Sequence, residues 1–129
     1  MQDLYSNIGA VQAIAPSVLT ASVNSPGLDL LGFEGATFVI STGAITGTGT
    51  VTAKIQETDP YGEHDFAGPY YDISVQGDSP ITLAANSVYK IGYLGFQRFI
   101  RLVFTLDSGV TIAASAVLIK GHPHERPVS

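Results

Sequence analysis

The chain has no cysteine. Disulfides, thiolate metal sites and a cysteine nucleophile are therefore excluded. Charge is also scarce: Asp, Glu, Lys and Arg make up 13% of the 129 residues, about half the usual share of a soluble domain. Only six of the charged residues are basic, against eleven acidic ones, for a formal net charge of -5. The six are scattered, whereas a duplex-binding protein neutralises several phosphates with a basic face. Nucleic acid is not an expected direct partner. No run reaches the ~18 consecutive apolar residues of a membrane-spanning helix, so no membrane is expected either. The opening Met1-Gln2-Asp3-Leu4 lacks the basic region of a secretory signal, and nothing in it directs export.

Hydrophobic residues make up 45% of the chain, enough for one core at a length typical of one domain. The polar positions are mostly Thr, Ser, Asn and Gln. Such side chains are buried in a protein contact more cheaply than Lys or Glu. The composition fits a surface that meets other protein, and equally a plain β domain with a Thr-rich exterior.

Strand signals dominate. In residues 50–58, Val51, Ala53 and Ile55 alternate with Thr52, Lys54 and Gln56, the period of a half-buried strand. In 98–106, Ile100, Leu102, Phe104 and Leu106 share one face. Phe99, Arg101 and Val103 share the other, and this partly apolar second face predicts a central strand. Further strands are predicted over 17–24, 36–42, 70–76, 80–84, 88–94 and 110–120. Turn signals separate them: Ser25-Pro26-Gly27, the glycines between Gly43 and Gly49, Asp59-Pro60-Tyr61-Gly62, Gly77-Asp78 and Asp107-Ser108-Gly109. Residues 8–15 fit a short helix, a strand carrying a bulge or an irregular arm.

The pattern predicts an all-β, single-domain β-sandwich, jelly-roll-like, over residues 17–120. An extended N-terminal arm (1–16) precedes it and an extended, Pro-rich C-terminal tail (121–129) follows. A tail with two prolines and no alternation has little means of ordering itself, so a neighbouring subunit is expected to hold it.

Candidate chemistry is thin. His122 and His124 are two apart in the tail, and His64 lies between Glu63 and Asp65. A loop and a tail lack the rigid support of a metal site, so no metal and no cofactor are expected. The carboxylates Glu57, Asp59, Glu63 and Asp65 do not follow a helix–loop–helix calcium spacing. There is no Gly-x-Ser-x-Gly elbow and no phosphate loop, and no catalytic residue is nominated. The aromatics are the better lead. Tyr61, Phe66, Tyr70 and Tyr71 cluster around one predicted loop, where they either anchor a contact or fill the core. Arg101 shares its strand face with Phe99 and Val103, in position to pair with a carboxylate. With His122, His124 and Arg126 of the tail, these form the candidate interaction residues.

Several segments together resemble a group of small structural proteins of tailed-bacteriophage virions. They are Asp3-Leu4 with Ile14-Ala15-Pro16-Ser17-Val18-Leu19-Thr20-Ala21, then Leu28-Asp29-Leu30-Leu31-Gly32-Phe33-Glu34 and the strand ending at Ile40. After these come Lys54-Ile55-Gln56-Glu57-Thr58-Asp59 with Phe66, Ile91-Gly92-Tyr93-Leu94-Gly95, Arg98-Phe99-Ile100-Arg101 and Lys120-Gly121-His122-Pro123. The likeness lies in the order of the set and breaks at Pro60-Tyr61-Gly62-Glu63-His64. It implies a non-catalytic capsid decoration (cement) protein, made in the host cytoplasm and carried on the capsid surface. Its implied partners are the major capsid protein and neighbouring copies of itself, as in a homotrimer. A head–tail connector or tail protein is the alternative within the virion, and a carbohydrate-binding module is the alternative outside it.

Overall fold

The computed structural model describes residues 3–58, 70–72, 75–76, 80–95 and 98–123. Among them there is no α-helix. A single turn of 3-10 helix, Tyr5–Asn7, precedes eleven strands. These are β1 (Gly9–Leu19), β2 (Val23–Asn24), β3 (Leu28–Asp29), β4 (Phe33–Thr46), β5 (Val51–Thr58), β6 (Tyr70–Asp72), β7 (Val75–Gln76), β8 (Ile81–Thr82), β9 (Val88–Tyr93), β10 (Phe99–Leu106) and β11 (Thr111–Pro123). No described helix is long and apolar enough to cross a membrane.

The strands form two antiparallel sheets. Sheet A runs β1-β11-β4-β9-β7; sheet B runs β2-β10-β5-β6, with β3 also on β10 and β8 also on β5. Period-2 patterning decides what each sheet buries. Ala36, Phe38 and Ile40 of β4 and Ile112, Ala114, Ala116 and Leu118 of β11 point inward from sheet A. Val51, Ala53 and Ile55 of β5 and Ile100, Leu102 and Phe104 of β10 point inward from sheet B. All belong to one contiguous core, which makes the fold a sandwich of the two sheets. Fully burying each large side chain contributes about 1.5–3 kcal/mol. As expected, β10 is a central strand, with β5 on one side and β2 and β3 on the other.

The expected arm is largely a strand. Residues 9–16 belong to β1, which pairs with β11 from Gly9↔Lys120 to Leu19↔Ile112. Ala13 and Ile14 are buried in the core. Register shifts between Gln12 and Ile14 and between Ile14 and Ser17 put Ala13 and Ile14 both inward. These bulges are why the alternation over 8–15 is broken. At the other terminus β11 continues to Pro123, opposite Phe33, so the ladder takes in 121–123, expected as tail. Residues 124–129 lie outside the described residues.

Two turn signals have a different role from the one expected. Ser25-Pro26-Gly27 interrupts an edge strand that pairs with β10 on both sides of the break. Proline cannot donate to the ladder. Ser25 bridges the gap: its N–H donates to Leu102 O (2.8 Å) and its Oγ accepts from Leu102 N–H (2.9 Å). Gly43 lies within β4, and the turn itself is confined to residues 47–50. There Gly47 (φ 90°) approaches Gly109 so closely that a Cβ would meet its carbonyl oxygen.

Candidate functional site

The two outer faces of the sandwich differ sharply. On sheet B, outward positions of β5, β6 and β10 carry Lys54, Gln56, Tyr70, Asp72 and Arg101, aligned by the register Gln56↔Asp72 and Arg101↔Gln56. Arg101 donates through Nε (2.9 Å) and Nη2 (2.8 Å) to Gln56 Oε1. Gln56 in turn donates through Nε2 to Asp72 Oδ1 (2.7 Å). Lys54 Nζ lies 3.1 Å from the same carboxylate oxygen. The hydrogen bond from Gln56, then that from Lys54, holds the Asp72 carboxyl below its ordinary value. The Arg101 guanidinium stacks over the Tyr70 ring at 4.4 Å, a cation–π contact. Here the polar groups satisfy one another.

Arg101 thus pairs with an amide, not with the carboxylate expected of it. Gln56 stands directly opposite it, and Asp72 lies one strand further away. The nearby Arg98 takes the carboxylate partner, gripping Asp29 through Nε and Nη2, both at 2.8 Å. That hydrogen bonding, with help from Leu31 N–H, lowers the Asp29 pKa.

Sheet A presents the opposite character. Three cross-strand rows cover its outer face, set by the register of β1, β11, β4 and β9. The first is Gln12, Val117, Val39 and Lys90. The second is Ala10, Ile119, Thr37 and Gly92. The third is Ser115, Ser41 and Val88. Lys90 is the one charged residue in the three rows. Val117 is 37% exposed at the centre, and Val18 (66%) and Val88 (70%) stand well into solvent nearby.

The remaining sequence candidates scatter. His122 lies in β11, exposed, with φ 51°. Tyr71 pairs through its backbone with Glu57, and its side chain lies outside the described residues. Tyr61, Phe66, His124 and Arg126 lie outside them too. Tyr70 and Arg101 are the candidates brought together. Among the described residues no group of three or more His, Asp or Glu side chains is arranged to hold a metal.

Sequence reasoning missed Lys54, Gln56 and Asp72. The alternation of β5 did place Lys54 and Gln56 on the outward side, but their partners depend on a register that the sequence does not state. No protein-family model matches the chain, and no curated protein matches it.

Proposed function

We propose that this chain is a structural protein of a tailed-phage virion, of the capsid decoration type, that acts by burying surface against other protein and not by catalysis. The observation that carries the reading is the contrast between the two faces. On sheet B, Lys54, Gln56, Asp72 and Arg101 are linked to one another, while the three rows of sheet A are rich in Val, Thr and Ser and carry one charge. Charge depletion at the centre is what separates contact surfaces from ordinary protein surface. The likeness of the ordered segments to small virion proteins supplies the setting.

Strand order supports the architectural side of the reading. The chain passes between the sheets at most connections and yields β1-β11-β4-β9 facing β2-β10-β5-β6. This interleaving supports reading the sandwich as jelly-roll-like, a frequent capsid architecture. A shell protein of this kind works by mass action: many modest contacts, repeated by symmetry, favour the assembled state. The carbohydrate reading is the weaker one, because Arg101 already occupies one face of the Tyr70 ring.

The test is a count of copies in particles of the phage whose genome encodes the chain, by quantitative mass spectrometry. Hundreds of copies support the decoration reading. About six or twelve, the stoichiometry of a symmetric ring, move the chain to the connector. Absence from the particle refutes the proposal.

A further inference from the structure

We infer that β1 is a detachable strand, and that the β11 edge it uncovers accepts β1 of a second copy in the same register. The inference stands apart from the virion reading.

Burial decides which strand can leave. Of the eleven residues of β1, Ala13 and Ile14 are buried and seven are exposed. Leu19 packs partly against the core. By contrast, β4 buries Ala36, Phe38, Ile40 and Thr42, and β11 buries Ile112, Ala114, Ala116 and Leu118. A segment that hides little apolar surface opens well before the whole domain unfolds. Position favours the same strand. β1 stands at the end of sheet A, and two register shifts interrupt its ladder with β11.

Opening leaves β11 with a row of unpaired N–H and C=O groups, a template for another strand. The shape of the site selects the occupant. The register shifts twice between Gln12 and Ser17, and Ala13 and Ile14 both turn inward. A regular strand alternates, so it would send one of two such neighbours outward and leave part of that space unfilled. β1 carries the matching bulges, and every copy of the chain carries β1. The hinge is Thr20-Ala21-Ser22, which joins β1 to β2 of the facing sheet. Exchange through this hinge repeats, between two molecules, each contact that β1 makes within one. Its extent then depends on the concentration of the chain.

The chain has no cysteine, so a pair of introduced ones reports the exchange. Gln12 and Val117 face each other across the ladder, where opposing Cβ atoms are about 4.5–5.5 Å apart, near disulfide range. Chains bearing Gln12→Cys are incubated with chains bearing Val117→Cys, then oxidised mildly. A parallel mixture replaces the second chain with Thr105→Cys, exposed on sheet B, to give the yield from collision. Exchange holds the first pair together, so the dimer linked from 12 to 117 is expected to exceed the control product about tenfold or more. It should exceed the 12–12 and 117–117 products by as much, because simple contact between faces would yield all three. Yields no higher than these overturn the exchange.

Hydrogen exchange of the unaltered chain tests the detachment. Amides of β1 bonded to β11 are expected to exchange about tenfold or more faster than those of β4, which lies between β11 and β9. Equal protection of the two strands overturns it. Neither result touches the particle count, so this inference and the virion reading fail separately.

Discussion

Tyr93 of β9 donates its hydroxyl to Glu57 Oε2 of β5 at 2.5 Å, which ties sheet A to sheet B at one end of the sandwich. Gly95 passes so close that a Cβ there would stand 2.5 Å from the same carboxylate oxygen. Tyr93→Phe is expected to cost about 1–2 kcal/mol in urea unfolding. Gly95→Ala is expected to destabilise by displacing the pair, and the two changes should not add, because the second acts on a bond that the first has removed. Additive costs in the double variant would contradict this coupling.

Two glycines with nearly the same backbone angle separate strain from collision. Gly32 has φ 91° and open space where a Cβ would stand; Gly47 has φ 90° and the Gly109 carbonyl oxygen in that place. Gly32→Ala is expected to cost about 1 kcal/mol, the penalty of a left-handed alanine. Gly47→Ala must also push its own turn away from that of Gly109 and is expected to cost more than about 2 kcal/mol. Equal unfolding midpoints for the two variants would remove the steric argument.

Ser25 is 5% exposed and accepts the Leu102 N–H where the edge strand is broken. Ser25→Ala leaves that buried donor without its partner, at an expected cost of about 1–3 kcal/mol. Hydrogen exchange read residue by residue should show the Leu102 amide losing protection first, and protection unchanged from the parent would contradict the role given to Ser25.

Acid stability follows from the carboxylates. Arg98 and Leu31 N–H lower the Asp29 pKa, Gln56 and Lys54 lower that of Asp72, and Thr50 lowers that of Asp107, each from an ordinary value of 3.8. A carboxyl lowered in the folded state is protonated more readily in the unfolded chain. The stability it contributes is complete above that ordinary value and is lost as pH falls through the lowered one. The urea midpoint should therefore be flat near neutrality and drop in strong acid. Asp29→Asn should lie slightly below the parent at neutral pH, the pair being well exposed, and meet it in acid.

The regular strands were legible because their alternation is local. Val51, Ala53 and Ile55, and Ile100, Leu102 and Phe104, read directly as inward rows, and the structure buries all six. What failed depended on distant partners. β1 was obscured because its bulges put Ala13 and Ile14 on the same side. β3 is two residues long, too short for a period to show. The link from Arg101 through Gln56 to Asp72 crosses three strands, so it needs the register. The neutral face of sheet A likewise emerges only when β1, β11, β4 and β9 are set side by side.

Image reconstruction of the chain in its native particle, at a resolution that traces the sheets, bears most directly on the whole account. Protein density packed over Val117, Val39 and Ile119, with sheet B turned away from that contact, is the predicted result. The same particle with those side chains facing open solvent would contradict it.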